Sequence, residues 1–399
     1  MSDIEWLVNP DGTKGKTWNP MVGCSRQSAG CENCYAITFA ARQLQPQYVG
    51  LTKIRPAGSS RPGPDWTGEV RLVPQRLPEP LKWRKSQRVF VNSMSDLFHP
   101  QVPFEYIAAV YGIMACCPQH TFIVATKQLA RAVEFFAWLD ARAERERGGH
   151  YTAILMEAGK HVEPARWEKL MEDTGFERDL AECEIWPLPN VHLLASIEDQ
   201  ATAEKRIPDL LRCPAEMHGV SYEPALGPVD LSEIDTGTIC EECDKPRMLD
   251  ALNGPSYRCA CGSELAAMTR TLRWVVVGGE SGPKVRDFDV LWMQAQIDAC
   301  AAEEVAIFCK QIGARPRCGS LKSGAFANRR GRWFDYWEDS MMVRCSITDP
   351  KGGKIREWPP ELHVRQYPGW RDDVEDDPVV VAAVPSAVQV DLFQGETDA

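Results

Sequence analysis

The sequence contains no uninterrupted run of about eighteen apolar residues, the length at which a membrane-spanning helix is expected. Its opening, MSDIEWLVNPDG, has neither the basic segment nor the apolar segment that begins a signal peptide. No internal repeat is visible beyond an alternation of strand-like and helix-like stretches. We therefore expect a cytoplasmic protein with no membrane partner.

Cysteine, by contrast, is abundant, with 15 among 399 residues. In a chain of this size without an export signal, closely spaced cysteines indicate metal or redox chemistry instead of disulfides. Seven of them fall in two tight clusters, and the scattered remainder is expected to behave as small core residues. The hydrophobic fraction of 44% is sufficient for a large core.

Short apolar runs recur along the chain, each ending in polar residues and followed by a helix-like stretch. Examples are RVFVNSMSDLF at 88–98, HTFIVATKQLARAVEFFAWL at 120–139 and NVHLLASIEDQATAEKRIPDLL at 190–211. This alternation predicts an α/β fold with a parallel sheet, and polar residues at strand ends are typical of a barrel active site. The pattern leaves open whether the barrel is closed.

The sequence predicts one module inserted into this barrel and two segments that follow it. A Pro-, Gly- and Arg-rich stretch at 45–88 is read as an irregular insertion within the first part. The predicted parts are the first section of the barrel at 1–235, a cysteine module at 236–270, the last section of the barrel at 271–312, a basic and aromatic extension at 313–370, and an acidic tail, expected to be disordered, at 371–399.

The first cluster places Cys24, Cys31 and Cys34 in a C-x6-C-x2-C arrangement within NPMVGCSRQSAGCENCYA. Three thiolates on one short loop can hold three irons of a 4Fe–4S cluster and leave the fourth iron open for S-adenosylmethionine (SAM). The alternatives are a structural zinc site completed by a remote His or Cys, and a chance spacing of free thiols. We favour the iron–sulfur interpretation.

Further motifs are VNSMSDLFHPQVP, TKQLAR, SIEDQ, GVSYEPALGPVDL, WVVVGGESGPKVR and FCKQIG. With the cysteine loop, they make roughly residues 15–312 resemble phage and bacterial three-Cys-motif proteins of unknown function, regarded as divergent relatives of radical SAM enzymes. The resemblance implies a radical-SAM-like, partial TIM-type barrel that binds a 4Fe–4S cluster and SAM. The usual spacing in radical SAM enzymes is C-x3-C-x2-C, and Asn33 stands where an aromatic residue commonly precedes the third Cys.

Polar residues at the predicted strand ends are the candidate ligand contacts in such a barrel. The expected cofactor contacts are Ser93, Ser95 and Asp96 at the amine of SAM, Glu198 and Asp199 at its ribose, and Lys127 and Arg206 at its carboxylate. The candidate catalytic residues, for substrate contact or proton transfer, are Glu223, Glu280 and Lys310. The alternative for each of these residues is a solvated loop charge or a salt-bridge partner.

The second cluster, TICEECDKPRMLDALNGPSYRCACGSEL, contains a C-x2-C pair followed by a C-x-C pair. Its four thiols are Cys240, Cys243, Cys259 and Cys261. Four thiolates from two such pairs suit tetrahedral zinc, and so small an insert needs a metal to fold. We predict an inserted zinc ribbon, with a second Fe–S cluster or free thiols as alternatives.

The charge distribution bears on the substrate. Residues 371–399 carry eight acidic residues and one Arg, so the tail accounts for most of the net charge of −11. The segment 313–332 has six basic residues and no acidic one, and aromatic residues follow it. Basic residues beside aromatic ones can bind phosphates and stack on bases, although a solvated loop next to core aromatics is the competing interpretation.

These features favour an iron–sulfur, radical-SAM-like enzyme acting on nucleic acid or a nucleotide, for modification or repair. The competing class is a non-catalytic DNA- or replisome-binding protein whose metals are structural. Within the tail, QVDLF at 389–393 is similar to the short peptide by which bacterial replication and repair proteins bind the DNA sliding clamp. Its expected contacts are Gln389, Leu392 and Phe393.

A peptide spanning 384–399 should therefore bind purified sliding clamp with an affinity on the order of micromolar, since ordering a flexible segment offsets part of the binding energy. Burial of Leu392 and Phe393 is expected to contribute about 1.5–3 kcal/mol each. Calorimetry should detect binding that the Leu392→Ala, Phe393→Ala double variant abolishes, while Asp391→Ala leaves it unchanged. Binding that survives the double variant removes the replication link.

Overall fold

The computed structural model describes residues 4–59, 62–145, 149–174, 186–232, 234, 238–239, 246–247, 272–282, 284–319, 332–338 and 341–368. The four cysteines of the predicted zinc ribbon, the acidic tail with its clamp-like peptide, and most of the basic segment lie outside the described residues.

The strands vary from short pairs to buried runs of seven residues. They are β1 Lys16–Trp18, β2 Met21–Val22, β3 Thr52–Arg55, β4 Gly63–Trp66, β5 Arg71–Leu72, β6 Arg88–Val91, β7 Thr121–Thr126, β8 Val191–Ile197, β9 Met217–Tyr222, β10 Thr238–Ile239, β11 Pro246–Arg247, β12 Leu272–Gly278, β13 Phe288–Asp289, β14 Ala306–Gln311, β15 Pro316–Arg317, β16 Arg332–Glu338 and β17 Met341–Ile347.

The α-helices follow or connect the strands of the main sheet. They are α1 Tyr35–Ala40, α2 Phe104–Ala115, α3 Leu129–Arg145, α4 Gly149–Gly159, α5 Pro164–Thr174, α6 Gln200–Arg212 and α7 Val290–Ala302. Among the described residues, no helix is both long and apolar enough to cross a membrane.

Seven parallel strands form the central sheet, in the order β1-β6-β7-β8-β9-β12-β14, and the sheet curls into a half-barrel. Each neighbouring pair is parallel, for example Ser196 of β8 in register with Ser221 of β9. The predicted α/β class and parallel sheet are confirmed. In addition, β1 and β14 are the two edges of this sheet, which answers the question of closure for its seven strands.

The two faces of the sheet follow from the period-two alternation of side chains along a strand. On one face, residues such as Val124, Leu193 and Val275 pack with the helices in the main core. On the opposite, concave face, their neighbours Leu194 and Val276 belong to a separate cluster. Because both faces are covered, the strands read as nearly continuous apolar runs.

Residues from both ends of the described chain fill the concave face. The indole of Trp6 packs edge-on against Phe90, with ring centroids 5.0 Å apart, and against Trp274 at 5.9 Å. Tyr367 stacks obliquely on Phe308 at 5.3 Å. These aromatic rings cover part of the concave face of the half-barrel.

The segments outside the sheet form smaller units. The insertion predicted to be irregular contains the antiparallel pair β3–β4, and β5 from the same stretch pairs with β2 beside the cysteine loop. Beyond the sheet, β16 and β17 form an antiparallel hairpin between Arg332 and Ile347. The insertion is thus more regular than its Pro and Gly content indicated.

The contact between α2 and α4 depends on Gly112. A Cβ at this position would meet the Ile154 carbonyl oxygen and would lie 2.7 Å from the Cβ of Ala158. We expect Gly112→Ala to lower the free energy of unfolding by about 1–3 kcal/mol, because backbone atoms cannot move aside and the helices must separate. Gly58→Ala, where a Cβ meets open space, is the control. Chemical denaturation measures both, and equal effects would contradict this packing.

Candidate functional site

A cavity of about 290 Å³ opens at the carboxyl-terminal ends of the central strands. The residues predicted from the sequence that line it are Cys24, Cys31, Cys34, Ser93, Ser95, Asp96, Lys127, Glu223, Glu280 and Lys310. The three cysteines therefore face the same space as the strand-end polar residues. Three predicted contacts, Glu198, Asp199 and Arg206, are not part of the cavity lining.

The cysteines lie on one loop between β2 and α1. Gly23, with φ of +92°, begins the loop, and its amide donates to the carbonyl of Met94 beyond the end of β6. Cys31 ends a 3-10 turn, and Cys34 occupies the position before the first residue of α1. The loop is thus tied to a strand end at its start and to a helix at its finish.

The sulfur atoms have surroundings suited to a metal-bound thiolate. Cys34 receives backbone hydrogen bonds from the first turn of α1, at Ala36 and Ile37, as expected for an anion at a helix N-terminus. The amide of Gln27 lies 3.5 Å from the sulfur of Cys31. Burial raises the pKa of the Cys24 and Cys34 thiols, and a bound cation would favour their thiolate forms.

In the described part of the chain, no group of three or more His, Cys, Asp or Glu side chains converges closely enough to hold one metal ion. A 4Fe–4S cluster makes a different demand, because each thiolate binds its own iron at a separate corner. Three thiols around one cavity fit that demand better than they fit a single zinc ion. The donor set and the cavity are therefore compatible with a cluster.

Glu198, at the end of β8, attaches the cysteine loop to the sheet. Its fully buried carboxylate accepts a hydrogen bond from Ser28 Oγ at 2.6 Å and forms ion pairs with Lys127 and with Arg206, the latter at 3.0 Å. A Cβ on Gly30 would lie 2.5 Å from the Glu198 side chain, so only glycine permits this close approach. Glu198 thus positions the loop between Cys24 and Cys31.

Lys127 links this attachment to the cavity. Burial, supplemented by the neighbouring Arg206 guanidinium, lowers the pKa of Lys127 to about 8. The Cys31 and Cys34 thiols lie near enough that ionising them would favour the charged form of Lys127. The ammonium group is therefore placed to offset negative charge on the cysteine sulfurs.

Glu280, beyond the end of β12, holds the other half of the loop. Its carboxylate accepts from the Asn33 amide at 3.1 Å, from the Arg286 backbone at 2.8 Å and from the Arg286 guanidinium. Burial alone would raise the pKa of Glu280, but the hydrogen bonds from Arg286 and the charge of Arg286 outweigh it and lower the pKa. Arg286 also lies 3.6 Å from Glu32, next to Asn33.

Asp96 connects two strand ends and borders the cavity. Its carboxylate accepts hydrogen bonds from Thr126 Oγ1 at 2.7 Å, from the Lys127 amide at 3.0 Å and from the Phe98 amide at 3.1 Å. Burial nonetheless raises the pKa of Asp96. The Asp96 side chain thus connects neighbouring segments by hydrogen bonds and also lines the cavity, where a ligand can contact it.

Lys310 and Glu223 also line the cavity, and Lys310 Nζ lies 2.8 Å from Glu223 Oε1. Burial alone would lower the pKa of Lys310, but the charges of Glu223 and Glu5 and the hydrogen bond to Glu223 outweigh it and raise the pKa. The Ser221 hydroxyl lies 3.4 Å from the other oxygen of Glu223. The structure therefore brings two of the predicted catalytic residues together as an ion pair, while Glu280 is engaged with Arg286.

Two predicted cofactor contacts are engaged elsewhere. Asp199 caps α6 by accepting from the Thr202 amide at 2.9 Å. Arg206 Nη1 donates to the Ser196 carbonyl at 2.5 Å and to Glu198. Arg206 forms the kind of salt bridge that was the alternative for these residues, whereas Asp199 is a helix cap, a role that was not among the alternatives.

Sequence reasoning did not identify Asn92 and Trp6, which also line the cavity. Asn92 stands one residue before the predicted Ser93, so its position after an apolar run was a usable signal. Trp6 carries no such signal, because it precedes the first strand and reaches the site only by folding back into the half-barrel.

Fold and site together define an α/β protein with a parallel half-barrel whose strand-end cavity is bordered by a three-cysteine loop. Residues 1–341 match the family described as "Protein of unknown function (DUF5131)", and the chain belongs to that family. No curated protein and no solved structure matches the chain.

The Glu280 attachment makes a pH-dependent prediction. Because the pKa of Glu280 is lowered in the folded state, its stabilising effect is present above the ordinary Glu pKa of about 4.3 and is lost as pH falls through the folded-state pKa. We expect Glu280→Gln to lower the free energy of unfolding by about 1–3 kcal/mol near neutral pH and by less in acid.

Urea denaturation at several pH values measures this difference. Glu216→Gln, at an exposed position, serves as the matched control and should change little at any pH. A loss of stability for Glu280→Gln that is the same at neutral and acidic pH would contradict an ionised, stabilising carboxylate.

Proposed function

We propose that the protein is a radical-SAM-type iron–sulfur enzyme in which Cys24, Cys31 and Cys34 hold three irons of a 4Fe–4S cluster. The observation that carries this proposal is the placement of all three thiols on one cavity at the strand ends of a parallel half-barrel. Active sites of parallel α/β barrels lie at this end of the strands. When bound, the cluster and SAM supply one-electron chemistry that side chains alone do not provide.

The chain's own residues would hold the charges of such a site. Lys127 lies beside the cysteine sulfurs and would offset the negative charge of a thiolate-ligated cluster. Asp96, Ser93 and Ser95 border the same cavity and would contact the amine of SAM. Glu198 and Arg206 would not contact the cofactor directly, and their role would be to orient Lys127 and the cysteine loop.

The Glu223–Lys310 pair is the group best placed to move a proton. Its members lie 2.8 Å apart, and both line the cavity. Lys310, as an ammonium group, can donate a proton to a bound substrate, and Glu223, as a carboxylate, can accept one. We assign them to substrate contact and proton transfer, and Glu280 to positioning Asn33.

We propose nucleic acid or a nucleotide as the substrate class. The basic run between 313 and 332 and the zinc ribbon assigned to Cys240, Cys243, Cys259 and Cys261 support it. The tail peptide at 389–393 would bring such an enzyme to replicating DNA through the sliding clamp. A DNA- or replisome-binding protein with purely structural metals is the competing outcome, and the following experiment separates the two.

Anaerobically purified protein should contain iron and show a broad absorption band that dithionite bleaches, as expected for thiolate-ligated Fe–S clusters. The triple variant Cys24→Ala, Cys31→Ala, Cys34→Ala should lose the iron and the band while retaining about one zinc per chain in the ribbon. Cys345→Ala, on the β16–β17 hairpin, is the control and should keep both metals.

Activity provides the second readout. Reduced wild-type protein incubated with SAM should release 5′-deoxyadenosine, and the triple variant should release none. Iron that persists in the triple variant contradicts the ligand assignment. A reconstituted cluster that yields no 5′-deoxyadenosine contradicts the enzymatic function and favours the binding protein with structural metals.

A further inference from the structure

The inner end of the cavity contains buried polar atoms without partners. The Asn92 side chain is 3% exposed, and neither its amide nitrogen nor its amide oxygen has a hydrogen-bond partner among the described residues. The indole Nε1 of Trp6, also 3% exposed, has none in that part of the chain either. Both residues line the cavity. Unpaired buried polar groups are costly, and each of these atoms has less than 1 Å² of exposed surface, so a ligand in the cavity supplies the missing partners once the side chains turn toward it.

The backbone of Asn92 supports a functional role. Its φ of +60° lies in the left-handed region, where non-glycine residues are uncommon, although Asn tolerates it better than most. This conformation occurs directly after β6, at the point where the strand meets the cavity. Strained residues at such places are commonly kept for binding.

Apolar side chains from the two strands next to Asn92 also line the cavity. Phe90 and Ala125 lie in the middle of adjacent strands and remain partly exposed, whereas the neighbouring residues Val91 and Val124 are fully buried. Their remaining exposure is at the cavity, which both line. With Trp6, whose ring meets Phe90 edge-on, they border a space suited to an aromatic ring.

We infer that this inner end is a subsite for a single nucleobase of the substrate. An Asn amide presents a donor and an acceptor side by side, which is how Asn pairs with the N6 and N7 atoms of adenine. Nucleobases combine such an edge with two flat faces, so they match both Asn92 and the apolar walls. This inference deepens the proposed function, on which it rests, by naming the group of the substrate that enters the site.

The depth of the subsite adds a constraint on the substrate. A base inside a duplex cannot reach Asn92, because the Asn92 side chain is buried in the wall of the cavity. The nucleotide must therefore be single-stranded or rotated out of its helix, as for other enzymes that act on a base. The ion pair of Glu223 and Lys310 borders the same cavity and is available to the bound nucleotide.

The test is equilibrium binding to the full-length protein as purified, which does not require turnover. The probes are the four deoxynucleoside 5′-monophosphates, a single-stranded oligonucleotide, and S-adenosylhomocysteine as a stand-in for the cofactor. Asn92→Asp keeps the shape and tolerates the same backbone conformation but removes the amide donor. Trp6→Phe removes only the indole donor, and Trp83→Phe is the matched control away from the cavity.

We expect wild-type protein to bind at least one nucleotide and the oligonucleotide, and Asn92→Asp to weaken that binding about tenfold or more. Trp6→Phe should weaken it by a smaller factor, and Trp83→Phe should have no effect. Binding of S-adenosylhomocysteine should be unchanged in all variants. Thermal unfolding of each variant establishes that the change in affinity is not a loss of folded protein.

Three results would overturn the inference. The first is that no nucleotide or oligonucleotide binds wild-type protein. The second is that Asn92→Asp and Trp6→Phe bind nucleotides as wild type does. The third is that they lose S-adenosylhomocysteine alone, which assigns the subsite to the adenine of the cofactor. Asn92-dependent nucleotide binding without iron or SAM cleavage would instead refute the proposed enzyme and leave the subsite intact.

Discussion

The buried carboxylate of Glu198 is the interaction on which the arrangement of the site depends. It is removed from solvent at the end of β8 and is shared by Lys127, Arg206 and the hydroxyl of Ser28. A single buried charge is unfavourable unless it is paired, so removing one partner is far more damaging than the strength of any one contact indicates. The position of the cysteine loop therefore depends on the ion pairs of Glu198 at the end of β8.

The half-barrel explains why a cavity exists at all. A closed barrel of eight strands is filled by its own side chains, whereas this curved sheet leaves its concave face to be covered by other segments. Trp6 and Tyr367, which come from outside the sheet, cover the lower part with aromatic rings. Above them the strands carry small residues such as Ala125 and Ser221, and this is where the cavity remains.

The charges around the cavity are arranged in local ion pairs, and the two lysines in these pairs have pKa values shifted in opposite directions. Near the cysteines, Lys127 and Arg206 both form ion pairs with the carboxylate of Glu198. Burial lowers the pKa of Lys127. Elsewhere in the lining, Glu223 forms an ion pair with Lys310 and raises the pKa of that lysine. A cavity that combines a cation near the thiols with a separate ion pair can accommodate two bound groups with different charge requirements.

Local pattern in the sequence was enough to determine the α/β class, the parallel sheet and the set of polar residues at the strand ends. These features depend on side-chain alternation and on residues that are neighbours in the chain, so a single sequence carries them. Ser93, Asp96 and Lys127 reached the cavity for this reason. The cap that Asp199 provides is a local contact with Thr202, whereas only the tertiary structure decided the role of Glu198, which meets Ser28 from 170 residues away. Burial and pairing of that kind depend on contacts between distant segments, which no local pattern encodes.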